Sequence, residues 1–428
     1  MGQKLQQTRW RRLDNTAKLF PVIANEKLSN VFRVSVTLLK PVEPSLLQRA
    51  VEEVLPWFEG FGIKLRRGFF WYYFETNRKT PIVEKEASYP CRYIDPHANQ
   101  QFLFRVSYYE SRINLEVFHA VTDGYGAVNF LKEITYRYLD LLRQEEGGGY
   151  RCPSVNLSLD MEDSYIRYYK KLPVKHYSTT KATMLKGETL YLGATSVIHG
   201  YISLPALKVV CKGMGVSITK YLTATLIWSI YQEYLNGQKA SRPICINMPV
   251  DLRRFFSSAT NLNFFAITNI QFQPTREGHT FEEILEEVSR QMDEKITREK
   301  MEETISYNVS NEKKWYVRGL PLLIKKLSMK MIYRRSSRAT TTTLSNLGPI
   351  TVREEYKKDI KSFHFLIGVA KRTNTKCAVC SYGDSLVVSF TSVLLKPSVQ
   401  RAFFRALTAR GIPVSIETNG VLNEEARP

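Results

Sequence analysis

The sequence predicts an α/β protein (α+β in layout) made of two similar sandwich-like halves, and three observations predict it. At 428 residues the chain exceeds what one hydrophobic core usually spans. Apolar runs of period two, which read as strands, are interspersed with runs of period 3.6, which read as helices. The mixture appears in both halves, without a short-period repeat.

The elements follow in order. Residues 31–39 alternate, with Phe32, Val34, Val36 and Leu38 on one face and Arg33, Ser35 and Thr37 on the other, as in a half-buried strand. Pro44 and Ser45 open a helix with apolar positions Leu46, Leu47, Ala50, Val51, Val54 and Leu55. The run FFWYYF at 69–74 reads as a buried aromatic strand. Ile113, Leu115 and Val117 form a strand leading into His119, and Val128, Leu131, Ile134, Tyr138 and Leu141 mark an amphipathic helix after it. Glu145-Glu146-Gly147-Gly148-Gly149 is the clearest flexible break. The polar, Tyr-rich stretch from Asp160 to Lys186 reads as a crossover back over the first half. The domains are therefore drawn at 1–188, with the crossover near 145–188, and at 189–428.

In the second half, Ile198–Leu204 reads as a strand, and Ser217 caps a helix running to about Leu235. Pro243–Val250 and Phe264–Phe272 read as strands. Phe281, Ile284, Leu285, Val288 and Met292 mark a helix. Strands near 341–345, 363–370, 377–382 and 385–393 precede a closing helix from Lys396 to Leu407.

Composition excludes a disordered chain: 43% of residues are hydrophobic, with 24 Tyr, 22 Phe and 5 Trp to bury. The net charge of +20 attracts polyanions, but it is spread from Arg9 to Arg427 rather than gathered in one stripe, so nucleic acid is not an expected partner. No apolar run is long enough to span a bilayer, and the first residues carry no secretory h-region. The expected location is cytoplasmic, with free thiols. Cys377 and Cys380 form a lone CxxC on a strand, where residues three apart face opposite ways, and the other histidines lack ligand spacing, so no metal is expected.

The chemistry concentrates on His119-Ala-Val-Thr-Asp123-Gly124, at a strand–loop–helix corner. A neutral imidazole there can take a proton from an attacking hydroxyl or amine and return it to a leaving thiolate. Taken alone, His119 reads as readily as a satisfied core histidine, and Asp123 as the N-cap of the next helix.

The segment resembles the HxxxDG signature of the chloramphenicol acetyltransferase-like superfamily, which includes CoA-dependent acyltransferases and peptide-synthetase condensation domains. Pro249-Val250-Asp251-Leu252-Arg253 with Asn263-Phe264-Phe265, and Ser345-Asn346-Leu347-Gly348, resemble its later segments. Leu13-Asp14-Asn15-Thr16-Ala17-Lys18-Leu19-Phe20-Pro21 and Leu65-Arg66-Arg67-Gly68 are similar to the bacterial alcohol O-acetyltransferase branch. The resemblance implies two chloramphenicol acetyltransferase-like domains arranged as a V around a tunnel. It implies acyl-CoA, with acetyl-CoA foremost, as co-substrate rather than bound cofactor, and a small alcohol or amine as acceptor. His119 would be the general base. Asp123 would point away from substrate and pair with Arg253, and Gly124 would keep the cleft beside His119 uncrowded. Ser345 or Asn346 would donate to the oxyanion, although the pair reads equally as strand-end turn chemistry. Phe118 stands where condensation domains usually carry a first histidine, and DFGWG of the plant BAHD acyltransferases is absent. Both departures disfavour those branches; a carrier-bound donor and a non-catalytic basic binding protein are the rival readings. The basic run from Lys325 to Arg338 reads first as a solvated helix face and second as a contact for CoA phosphates or a membrane surface.

Overall fold

The computed structural model describes residues 10–145, 162–173, 180–191, 193–314, 319–370 and 372–422. The Gly147–Gly149 break and much of the crossover lie outside them. Strands β1 (Trp10–Arg12), β3 (Ile63–Arg67) and β4 (Tyr72–Thr76) form a small sheet in the order β1-β4-β3. A five-stranded sheet contains β2 (Val31–Leu38), β5 (Val83–Lys85), β6 (Phe104–Tyr109), β7 (Arg112–Phe118) and β12 (Ile360–Ile367), in the order β12-β2-β7-β6-β5. A seven-stranded sheet contains β8 (Ser196–Ser203), β9 (Ile244–Asp251), β10 (Phe265–Phe272), β11 (Thr342–Pro349), β13 (Thr375–Tyr382), β14 (Ser385–Ser392) and β15 (Val414–Thr418), in the order β10-β9-β11-β13-β14-β8-β15. Strand β12 comes from the second half of the chain yet pairs antiparallel with β2, Phe363 opposite Val36 and Phe365 opposite Val34.

The helices are α1 (Phe20–Ile23), α2 (Pro44–Val54), α3 (Gly124–Glu145), α4 (Ser164–Arg167), α5 (Leu204–Gly213), α6 (Ile218–Glu233), α7 (Phe281–Lys295), α8 (Arg298–Lys313), α9 (Leu322–Ser336) and α10 (Ser398–Thr408). The stripe Leu46, Leu47, Ala50, Val51 and Val54 buries α2 against α3 and the five-stranded sheet. Ser217 accepts from the Lys220 N–H at 3.3 Å and starts α6, while Thr280 and Glu283 form a reciprocal capping box at the start of α7. Helices α6, α7 and α10 cover the seven-stranded sheet with a second core. Cys377 lies in that core and Cys380 in the first, on opposite faces of β13.

Three expectations need correction. The run at 69–74 is not a buried strand. Gly68 donates to the Trp71 carbonyl at 2.9 Å, closing a turn that leaves Phe69 and Phe70 exposed, and only Phe74 is deeply buried. The polar face of β2 does not meet water. Arg33 and Ser35 are buried; Arg33 pairs with the fully buried Glu116 at 2.9 Å, and Ser35 bonds Asn114 at 2.7 Å. An ion pair and a neutral hydrogen bond satisfy these two side chains in place of solvent. Finally, the described part of the crossover docks on the second half: Tyr165 packs with Val250, Leu252, Phe264, Met301 and Ile305.

Candidate active site

His119 directly follows β7, and its N–H donates to the Asn30 carbonyl at 2.9 Å, holding the chain just beyond the strand. The ring sits in an aromatic cage. Phe20 stacks on it at 4.7 Å and 15°, Phe32 meets it edge-on at 4.9 Å, and Phe265 tilts over it at 5.4 Å. Burial pushes the imidazole below its ordinary pKa. The positive charge of Lys376, a half-buried residue of β13, acts in the same direction, and Asp123 and the Asn263 bond act against it. The net effect keeps the ring neutral near pH 7, the form a base needs.

Asn263 decides which nitrogen is free. Its amide nitrogen donates to Asp14 Oδ2 and to the His119 carbonyl, each at 3.1 Å. The amide oxygen is thereby turned toward the ring, 3.1 Å from His119 Nδ1. An oxygen only accepts, so Nδ1 carries the hydrogen and Nε2 keeps its lone pair. Asp14 is fixed in turn: its other oxygen accepts from the Ala17 N–H at 2.7 Å, and burial pushes its carboxyl up to about 7. Neither Asn263 nor Asp14 was given a role from sequence, although both lie in segments that carry the resemblance. A hydrogen-bonding asparagine beside a paired motif arginine is the signal that could have singled out Asn263.

Asp123 and Arg253 come together as a buried pair. Arg253 Nη1 donates to Asp123 Oδ2 at 2.9 Å, and the two side chains are 7% and 8% exposed. The guanidinium also donates to Asp251 at 3.0 Å and to the carbonyls of Thr260 and Leu262 at 2.8 Å, while stacking 4.4 Å from the Tyr125 ring centroid. Asp123 accepts from the Phe264 N–H at 2.9 Å and from the Gly126 N–H at 3.3 Å at the start of α3. It thus ties together α3, the Arg253 loop and the residue next to Asn263. Its hydrogen bond goes to the residue beside Asn263, which bonds the imidazole, and its charge acts on the ring from a distance.

The space beside Gly124 is taken up by Leu347. A Cβ there would collide with the Leu347 side chain, so the tight approach is between α3 and β11. Gly126 is the more constrained of the two, because a Cβ there would run into the backbone carbonyl of Asn261 and the hydroxyl of Thr122, which bond each other. Asn346 makes turn bonds: its Oδ1 accepts from the Gly348 N–H at 2.8 Å and its Nδ2 donates to Thr219 at 3.1 Å. Ser345 is two residues from Leu347, on the same face of β11 and so on the side that meets α3. A separate hollow of about 410 Å³ lies against α7 and β10, lined by Gln271, Glu287, Arg290, Gln291 and Lys295 and by none of these site residues.

No protein-family profile and no curated protein sequence matches the chain. Solved structures do match it. The fold is similar to those of solved condensation domains and of an acetyltransferase. The trichothecene 15-O-acetyltransferase of Fusarium sporotrichioides aligns over 96% of both chains with a TM-score of 0.59 and 10% identity. A variant of the rhizomide synthetase starter condensation domain, in complex with C8-CoA and Leu-SNAC, aligns over 94% of both chains with a TM-score of 0.59 and 12% identity. Polyketide synthase associated protein 5 of Mycobacterium tuberculosis aligns over 97% of this chain and 98% of its own, with a TM-score of 0.58 and 12% identity. At such identities the likeness speaks for the fold.

Proposed function

We propose that the chain is a CoA-dependent acyltransferase of the chloramphenicol acetyltransferase type, with two domains forming a V and His119 at the tunnel between them. His119 Nε2 takes the proton from an alcohol, or from an amine. The freed oxygen or nitrogen bonds to the thioester carbonyl carbon, and an oxyanion forms. The C–S bond then breaks, and the imidazolium returns its proton to the thiolate of CoA. No covalent enzyme intermediate is needed. Of Ser345 and Asn346, Ser345 is taken as the oxyanion donor, because the Asn346 amide already donates to Thr219. Asp123, Gly124 and Arg253 hold the corner in register.

The observation that carries this reading is the Asn263–His119 bond, which leaves Nε2 as a neutral base beside the Phe20, Phe32 and Phe265 rings. The C8-CoA held by the similar condensation domain supports a free acyl-CoA donor. The test is thiol release from acetyl-CoA and longer acyl-CoAs across a panel of alcohols and amines, beside the same acyl groups on a carrier protein. His119→Ala should lower turnover by on the order of 10²–10⁴-fold. Full turnover by that variant overturns the base assignment, and turnover with the carrier-bound donor alone overturns free CoA as donor.

A further inference from the structure

Helix α9 carries its apolar residues on the wrong side for a core helix. Leu323, Ile324, Leu327 and Met331 fall at i, i+1, i+4 and i+8, a single stripe, and that stripe faces solvent. With Ile332 they are 52–68% exposed. The opposite side anchors the helix to the body. Leu322 is buried there, its N–H donating to the Phe69 carbonyl at 2.9 Å, and Lys325 donates to the Phe70 carbonyl at 3.1 Å with its ammonium 3.8 Å from the Trp71 ring centroid. The exposed Phe69 and Phe70 rings, 4.9 Å apart, lie beside the first turn of the helix and extend the apolar surface.

Charge accompanies this surface. Lys326, Lys330 and Arg334 recur every four residues and form a row along one flank of the stripe, with Arg335 and Arg338 toward the C-terminal end. From Gly319 to Arg338 the chain has six Lys or Arg and no Asp or Glu. Aliphatic and aromatic side chains rimmed by Lys326, Lys330, Arg334 and Arg335 match the boundary between acyl chains and anionic headgroups. A second copy of the chain fits poorly, because a two-fold contact through this face would bring the two basic rows together. Nucleic acid would leave the Leu, Ile and Met side chains without a partner.

We infer that α9, with Phe69 and Phe70, docks the protein on an anionic lipid bilayer, the helix lying in the plane of the headgroups with its aliphatic stripe inserted. Helix α9 packs on α1, whose Phe20 stacks on His119, so the docked molecule holds its site close to the lipid surface.

Co-sedimentation of the full chain with vesicles tests this without using activity. Vesicles of phosphatidylglycerol in phosphatidylcholine should pull the protein down, and pure phosphatidylcholine should not. Leu327→Glu with Met331→Glu should abolish binding. Lys330→Gln, Arg334→Gln and Arg335→Gln together should weaken it about a hundredfold, with a lower sensitivity to salt. These side chains are exposed, so circular dichroism and melting should match the parent protein; if the Glu variants lose their fold, the Gln set carries the test. The inference is overturned by an absence of binding to anionic vesicles, or by binding that both variant sets leave intact. It is also overturned by finding that the stripe instead drives self-association or RNA binding.

Discussion

The Asp123–Arg253 pair joins the two halves of the site, and cutting it has a calculable cost. In Arg253→Met the Asp123 carboxylate stays buried with only the N–H groups of Phe264 and Gly126 to accept from, and the carbonyls of Thr260 and Leu262 lose their donor. Breaking a buried pair from one side costs about 3–5 kcal/mol. At about 2.1 cal/mol/K of unfolding entropy per residue, the chain's melting temperature should fall by roughly 3–6 °C. Asp123→Asn should cost a similar amount, since an amide cannot hold the guanidinium as a carboxylate does. The double variant removes both charges and should be less destabilised than the sum by about 1–3 kcal/mol. Urea unfolding of the four proteins measures the cycle. Additivity within about 0.5 kcal/mol would refute the coupling. Turnover should fall in each single variant, because Asp123 bonds the residue next to Asn263.

Removing the side chain that orients His119 should act on turnover more than on binding: Asn263→Ala is expected to lower kcat by roughly 10–100-fold with little change in KM, and an unchanged kcat in steady-state assays would sink that role. Lys376→Met takes away a charge that opposes protonation of His119. The imidazole pKa should rise, and since the base must be neutral, the acid limb of the kcat/KM profile should move to higher pH; a limb that stays in place or moves down contradicts the assignment. The His199 and His364 rings lie 4.6 Å apart between β8 and β12. Burial, then Arg112, pushes His199 down to about 4, and burial, then the His199 charge, pushes His364 well below its ordinary value. Both are therefore neutral when folded and contribute no pH dependence above about 6.5. Below that, the unfolded chain takes up protons that the fold refuses, so stability is lost as the pH falls from 6.5 toward 4. Denaturant titrations across this window should show the loss, and His199→Asn with His364→Asn should flatten it. An equally steep slope in the double variant would exclude the pair as its source.

Much of the architecture was legible because it rests on local pattern. The apolar stripe of α2, the cap at Ser217, the strand running into His119 and the helix after Gly124 all follow from spacing within a few residues. The strand–loop–helix corner from His119 to Gly124 was legible for the same reason. What spacing does not carry is what a side chain meets across the fold. Asn263 reaches His119 from more than a hundred residues away, and nothing local says that its oxygen faces Nδ1. The polar half of β2 alternates as a solvent face does, yet Arg33 meets Glu116 there. The FFWYYF run has strand composition, but the turn closed at Gly68 moves the strand start to Tyr72. In α9 the apolar residues are visible in sequence, while the side on which they fall was set by Leu322 and Lys325 docking on the turn at Phe69 and Phe70.

Strand β12 ties the order of synthesis to the order of assembly. Its partner β2 leaves the ribosome early, and its own residues, Ile360–Ile367, leave late. Until then the edge of β2 beside Val34 and Val36 has no neighbour, and Phe32, which touches the His119 ring, lies on that unfinished edge. A nascent chain with a bare, apolar sheet edge is prone to pair with its neighbours on a polysome. The corner at His119, encoded in the first third of the chain, therefore lacks the strand beside Phe32 until the last third has been made.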